Sequence, residues 1–356
     1  MNELEPLGFA PFFDAQLEPR ERPLVARVTA EHRGAWEVQG ATGSSTARLA
    51  GRLRRDDAEL AFPGVGDWVV LRQEPRADAQ AIIERVLARR TLFTRGAAGR
   101  ETRAQVIAAN VDLVFVVCGL DGDFNVHRIE RYLARIWASG AQPAIILNKS
   151  DLCDDIAARV AQVERHAGGV PLLVTSALQA EGISAVRARL GAGLTVAFVG
   201  SSGAGKSTLV NALLGQARMP TGPVRASDDR GQHVTTRRQL LALATGGLLL
   251  DTPGMRELQL VDAQGLDLVF EEVATLATRC RFRDCRHDAE PGCAVRAAVE
   301  SGELDPDRLE HYRTLEREAQ AFELRHDVRR RRQAERAWGA RSDEVAMLRR
   351  LKGGKP

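Results

Sequence analysis

The run Gly200-Ser201-Ser202-Gly203-Ala204-Gly205-Lys206-Ser207-Thr208 fits G-x-x-x-x-G-K-[ST] at every position. An apolar stretch, 195–199, precedes it and a helix-like stretch, 209–214, follows. Strand, glycine-rich turn and helix is the setting a phosphate-binding loop requires. Glycines let backbone N–H groups converge on phosphate oxygens, and a helix N-terminus adds a favourable dipole. Lys206 is placed to reach the β- and γ-phosphates and Ser207 to hold Mg²⁺. The chemistry expected is that of a nucleoside triphosphate.

The base is read upstream. Asn148-Lys149-Ser150-Asp151 is an N-K-x-D motif at the end of an apolar run. The Asp151 carboxylate can accept from both N1–H and the exocyclic amine of guanine, a donor pair that adenine lacks. Asn148 and Lys149 would brace that pocket, with the Lys149 stem along the base. Ser176-Ala177, after another apolar run, would supply a backbone donor to the base oxygen. The expected ligand is therefore GTP with Mg²⁺.

Downstream, Asp251-x-x-Gly254 follows the run 247–250. Asp251 is expected to act on Mg²⁺ through water, and the Gly254 N–H on the γ-phosphate. Between this motif and the phosphate loop lies the polar stretch 225–238. A threonine there that ligates Mg²⁺ only while the γ-phosphate is present would make the stretch an order–disorder switch. Thr236 is the first choice and Thr235 the second. The residue after Gly254 is Met255, which cannot orient a water. His233 is the best internal replacement, since a neutral imidazole can bond one; an exposed loop histidine is the plain alternative. GTPases normally run phosphate loop, switch threonine, D-x-x-G, N-K-x-D. Here N-K-x-D comes first, and a circular permutation accounts for that without altering the site.

A second cluster, Cys280, Cys285, His287 and Cys293, has the spacing C-x4-C-x-H-x5-C. Three thiolates and an imidazole make a closed structural Zn²⁺ set with no position left for water. Free thiols or a redox pair are the alternatives. Cys118 and Cys153 lie in a strand-like and a helix-like run and read as incidental.

These motifs need elements to carry them. From residue 105, apolar strand-like runs alternate with amphipathic helix-like ones, at 111–118, 126–139, 144–147, 153–166, 172–174 and 195–199, the mark of a parallel α/β sheet. Residues 25–92 read instead as short alternating strands of an antiparallel barrel, with an OB-fold as the leading choice. Arg27, Arg48, Arg52, Arg54 and Arg55 form either a basic face on it or a solvated surface. Residues 1–24 are expected to pack as an arm or to order on a partner. The resulting division is 1–24 arm, 25–92 barrel, 93–104 basic linker, 105–262 permuted GTPase domain, 263–324 zinc-binding helical domain and 325–356 basic tail. The last helical stretch begins near Asp305, with Leu309, Tyr312, Leu315 and Phe322 on one face.

Length and charge narrow the classes. At 356 residues the chain has room for two or three domains, and 44% apolar residues is ordinary for a soluble globular protein. A formal charge of +3 places any nucleic-acid affinity in local patches, such as the arginine-rich tail from Arg329 onward. No segment approaches the ~18 consecutive apolar residues of a membrane span. The first residues lack the order of a signal peptide, so a cytoplasmic location without membrane contact is expected.

With barrel, Gln105-Val-Ile-Ala-Ala-Asn-Val-Asp112, permuted motifs and cysteine cluster in hand, the chain resembles the ribosome small-subunit-dependent GTPase A family over nearly its whole length. The resemblance implies an OB-fold, a permuted GTPase domain and a zinc-binding domain, all contacting ribosomal RNA. It implies GTP hydrolysis stimulated by the small ribosomal subunit, whose late maturation the family serves; a monomer is expected. It also implies a catalytic role for the switch histidine, here His233. The family's switch usually reads His-Thr-Thr-Thr, whereas this chain has His233-Val234-Thr235-Thr236, which leaves the Mg²⁺ ligand open between the two threonines.

Overall fold

A computed structural model describes residues 2–32, 34–51, 53, 62–77, 79–96, 104–215, 238–243, 246–251 and 265–326. The chain divides into two units: Met1–Arg95 with Ala104–Gln259, and Gly96–Arg103 with Leu260–Pro356.

In the first unit the N-terminal residues pack as an arm. A short helix α1 (Pro11–Asp14) presents Phe13, which joins Leu4 and Phe9 against Trp68. The Phe9 and Trp68 rings meet edge to face with centroids 4.9 Å apart, a favoured aromatic geometry. Five strands then follow: β1 (Val25–His32), β2 (Ala35–Gly40), β3 (Gly43–Leu49), β4 (Trp68–Leu71) and β5 (Ala81–Val86). Their order closes on itself as 1-2-3-5-4-1. Every pairing is antiparallel except β3 with β5, where Ala47 lies beside Ala81 and Leu49 beside Ile83. This is the five-stranded barrel of an OB-fold. β2 and β3 alternate buried and exposed residues as half-buried strands must. β4 is buried on both faces, with Val69 and Leu71 in the barrel core and Trp68 and Val70 under the arm.

Arg27 is not part of a basic face. Its guanidinium is fully buried: Nε donates to Gly66 O (3.2 Å), Nη2 to Asn110 O (3.1 Å) and Thr195 Oγ1 (2.7 Å), and Nη1 to Leu7 O. Burial lowers its pKa to about 10, which leaves it charged at neutral pH. One side chain thus ties the arm, the barrel and the start of the α/β sheet. Each hydrogen bond from a charged donor is worth about 1.5–3 kcal/mol, which offsets the cost of burying the charge. Arg48 is exposed; Arg52, Arg54 and Arg55 lie outside the described residues.

The stretch expected to be a linker begins and ends in strand. β6 (Leu92–Gly96) and β7 (Ala104–Ala109) form a two-stranded ribbon. The α/β part follows as β8 (Leu113–Gly119), α2 (Val126–Ala138), β9 (Gln142–Asn148), α3 (Ile156–His166), β10 (Leu172–Val174), α4 (Ile183–Arg187), β11 (Thr195–Val199), α5 (Lys206–Leu214), β12 (Arg238–Ala242) and β13 (Leu248–Asp251). The sheet order is β10-β9-β8-β11-β13-β12, parallel throughout except for β12. Phe115, Val117, Ile146, Val196, Leu209, Leu213 and Leu249 fill the core between this sheet and the helices on one face. β12 also pairs antiparallel with β1, Ala30 beside Gln239 and Glu31 beside Arg238. The barrel wall and the α/β sheet are therefore one continuous eleven-stranded sheet.

The second unit contains α6 (Leu266–Val269), α7 (Glu271–Ala277), α8 (Ala294–Ser301) and α9 (Pro306–His326). Phe270, Val273, Val295, Leu309 and Leu315 are buried. Arg308 lies over the Phe270 ring at 4.3 Å while pairing with Glu272. Among the described residues, no helix is long and apolar enough to cross a membrane.

Candidate nucleotide and metal sites

β11 lies in the middle of the parallel sheet, between β8 and β13, and the chain leaves its C-terminal end into Gly200–Gly205 before α5 begins at Lys206. Open α/β sheets bind ligands outside the carboxyl ends of such central strands. β9 ends in Asn148, β10 leads into Ser176-Ala177, and β13 ends in Asp251. Asp251 follows Leu250, which pairs with Ala197 of β11, so it stands beside the approach to the phosphate loop. Four separate stretches of sequence thus converge on one sheet edge.

Asn148 holds three of them together. Its side chain is almost fully buried. Nδ2 donates to Ala204 O in the phosphate loop (2.9 Å), and Oδ1 accepts from Thr175 Oγ1 (3.0 Å) and Ala177 N (3.1 Å). A Cβ on Gly205 would come within 2.2 Å of Asn148 Nδ2, and Gly205 has φ +93°. Only glycine permits both this backbone and this approach. The last glycine of the motif is thus a packing requirement of Asn148.

Ser176 Oγ donates to Asp151 Oδ1 (2.5 Å), fixing one carboxylate oxygen and leaving the exposed side chain in place at the rim. Lys149 has a left-handed backbone, φ 64°, and its Nζ lies 2.5 Å from Asp121 Oδ2. Lys206 Nζ donates to Gly200 O (2.9 Å) and to Ser201 O. Ser202 and Gly203 are exposed at the tip, Ala204 is buried beneath, and Ser207 and Thr208 are half-buried in the first turn of α5. His233, Thr235, Thr236 and Gly254 lie outside the described residues.

Two site neighbours escaped the sequence reading: Asp121, which pairs with Lys149, and Asp123, which accepts from Ser201 Oγ. Both sit in the loop after β8. Their one sequence signal is position, at the end of a buried strand adjacent to the phosphate-loop strand.

In the second unit Cys280, Cys285, His287 and Cys293 offer four ligand atoms that all lie within 4.8 Å of one another. Zinc bonds of about 2.3 Å to sulfur and about 2.0 Å to nitrogen set tetrahedral edges of about 3.8 Å between sulfurs and about 3.5 Å from sulfur to nitrogen. The chain has 3.9 Å from Cys280 to Cys293, and 3.6 Å and 3.5 Å from those sulfurs to His287 Nδ1. The donor set and its spacing fit zinc. Burial and the Arg313 charge lower the His287 pKa, favouring the neutral imidazole that ligates metal. Glu290, also not foreseen, accepts from the backbone N–H groups of Arg286, Asp288 and Ala289 at 2.9–3.1 Å. Its own backbone N–H, followed by those bonds, holds its carboxyl pKa at about 2, and the bonds fix the loop that carries His287.

Comparison with known proteins agrees with this geometry. The family model described as RsgA GTPase matches residues 86–261. The small ribosomal subunit biogenesis GTPase RsgA of Opitutus terrae is 49% identical over 334 residues, covering 90% of this chain and 91% of its own. The small ribosomal subunit biogenesis GTPase RsgA 2 of Lactiplantibacillus plantarum is 45% identical, covering 87% and 88%. Among solved structures, YjeQ from Thermotoga maritima superposes with a TM-score of 0.63 at 28% identity, over 83% of this chain and 98% of that one. YloQ, a circularly permuted GTPase, gives 0.60 at 24% identity over 83% and 95%, a likeness of fold. The sheet order, the out-of-order motifs around β11 and relatives matched along nine-tenths of the length lead to one conclusion: the chain belongs to the RsgA family of GTPases.

Proposed function

We propose that the cradle around β11 binds GTP with Mg²⁺ and hydrolyses the β–γ anhydride when the chain docks on the small ribosomal subunit, serving that subunit's biogenesis. The observation that carries this reading is the Asn148 side chain, which joins the base-reading loop, the Ser176-Ala177 loop and the phosphate loop through three hydrogen bonds. Asp151 reads the base, and the Ala177 region closes over its oxygen. The Gly200–Thr208 backbone and Lys206 receive the phosphates. Ser207 and Asp251, with Thr236 or Thr235, hold Mg²⁺, and Gly254 senses the γ-phosphate. Mg²⁺ supplies charge neutralisation at the transferring phosphoryl group.

His233 accepts a hydrogen bond from the attacking water and orients it. Cys280, Cys285, His287 and Cys293 hold one structural zinc. The barrel at 25–92 and the zinc module at 263–324 present surfaces to ribosomal RNA, with the permuted GTPase domain at 105–262 between them in sequence and the basic tail at 325–356 adding phosphate contacts. The chain acts as a cytoplasmic monomer.

The expected result for His233→Ala is a loss of subunit-stimulated turnover of about 10²-fold or more, the usual reach of a positioned proton-transfer or water-orienting group. Its affinity for a fluorescent GDP analogue stays within about twofold of wild type, since binding rests on other residues. Turnover at the wild-type rate removes His233 from this role.

A further inference from the structure

The loop between β8 and α2 carries two carboxylates that reach opposite ends of the nucleotide cradle. Asp121 Oδ2 lies 2.5 Å from Lys149 Nζ in the base-reading loop, and Asp121 Oδ1 accepts from Asp123 N (3.2 Å). Asp123 Oδ2 accepts from Ser201 Oγ in the phosphate loop, and Asp123 Oδ1 lies 2.9 Å from Arg128 Nη2 of α2. The loop is itself fixed. Leu120 N donates to Asn148 O (2.8 Å), Phe124 N to Asp121 O (3.1 Å), and Asn125 caps α2 by accepting from Arg128 N (2.9 Å). Arg159 of α3 lies over the Phe124 ring at 4.8 Å. Gly119 leaves the room this needs: a Cβ there would stand 2.6 Å from Asp121 Oδ1 and 3.6 Å from Lys149 Cδ. Burial opposes ionisation of Asp121, and the Lys149 ammonium with the Asp123 N–H outweighs it, so the carboxyl stays below its ordinary range.

We propose that Asp121 and Asp123 form a brace outside the nucleotide-binding motifs, Asp121 holding the Lys149 stem flat for the base and Asp123 holding Ser201 so that the phosphate loop keeps its shape. Both are positioning residues. This rests on the reading of the cradle as a guanine-nucleotide site. A lysine left to itself samples many rotamers, and ordering it on binding costs free energy. The carboxylate orders it beforehand, which raises affinity without a contact to the ligand. Asp123 does the same for a serine hydroxyl at the first turn of the loop.

The test uses the full chain and a fluorescent GDP analogue, with GMP, GDP and GTP as competitors. Asp121→Ala is expected to weaken all three nucleotides about tenfold, the worth of one charge-assisted hydrogen bond, and to act on KM rather than kcat. Asp121→Glu recovers part of the loss. Combining Asp121→Ala with Lys149→Ala gives no greater loss than Lys149→Ala alone, since both remove one unit. Asp123→Ala is expected to weaken GDP and GTP more than GMP, and to be non-additive with Ser201→Ala. Melting temperatures without nucleotide accompany each variant, so that misfolding is recognised; Asp121→Asn or Asp123→Asn replaces the corresponding alanine variant if that one melts early.

Wild-type affinity in Asp121→Ala and Asp123→Ala, or fully additive losses with their partners, overturns the brace while leaving the nucleotide reading intact. A wild-type chain that binds no guanine nucleotide overturns the nucleotide reading first, and the brace with it.

Discussion

Asp151→Asn is expected to exchange the chain's preferred base. Guanine offers two donors, N1–H and the exocyclic amine, to two carboxylate oxygens. An asparagine offers one acceptor and one donor, so its amide meets the amine donor to donor. Xanthine carries a carbonyl where guanine carries that amine, and it pairs with the amide in full. Sites built around such hydrogen bonds discriminate by about 10⁴, because a mismatch leaves polar groups unpaired. The ratio of GTP to XTP affinity should therefore fall on the order of 10⁴-fold, equivalent to roughly 5.5 kcal/mol. The fold should not notice: Asp151 is exposed, and surface substitutions usually stay within about 0.5 kcal/mol. The amide oxygen still accepts from Ser176. Competition of GTP and XTP against a fluorescent analogue measures the exchange. Unchanged preference for GTP, with the melting temperature also unchanged, removes Asp151 from the base-reading role.

The second large effect is on the module that carries Cys280, Cys285, His287 and Cys293. Three of its four described helices, α6, α7 and α8, span four, seven and eight residues, lengths at which isolated helices are marginal. Structural zinc contributes apparent binding free energies of about 10–16 kcal/mol, and in small modules that is folding free energy. Cys280→Ser, or chelation of the whole chain, should release one equivalent of zinc and expose 265–326 to proteolysis. Helical circular dichroism should fall accordingly. Nucleotide affinity, set by residues of the other unit, should persist. Loss of the metal with no change in protease sensitivity or helix content contradicts a structural role for the cluster.

Why some of this was legible in sequence and some not has a physical basis. Motifs fixed by local spacing were readable. Gly200–Thr208 occupies one turn between one strand and one helix, and Cys280 to Cys293 folds around a single centre. Contacts made between distant stretches were not. Arg27 sits in an alternating strand and looks outward-facing, yet β1 is buried on both sides because the arm and the α/β sheet cover it. Asp121 and Asp123 find their partners far along the chain, Lys149 being 28 residues away and Ser201 78. β12 is partly exposed along its length, and its partner strands β1 and β13 lie on opposite sides in sequence. Its pairing with β1 makes one sheet of barrel and α/β core, an arrangement no local pattern announces.

That continuous sheet joins β12 to the barrel strand β1. β12 starts at Arg238, directly after the stretch that holds His233, Thr235 and Thr236, and Arg238 Nη1 lies 3.0 Å from Glu31 of the barrel strand β1.

Hydrolysis of GTP in the cradle around β11 is proposed to be under the control of the small ribosomal subunit. Its most direct test is GTP turnover by the full chain alone, with purified small subunits, and with purified large subunits. Turnover is expected to be slow alone and with large subunits, and to be accelerated by small subunits in a way that disappears in His233→Ala. Turnover indifferent to small subunits, in a chain that binds GTP, would contradict it.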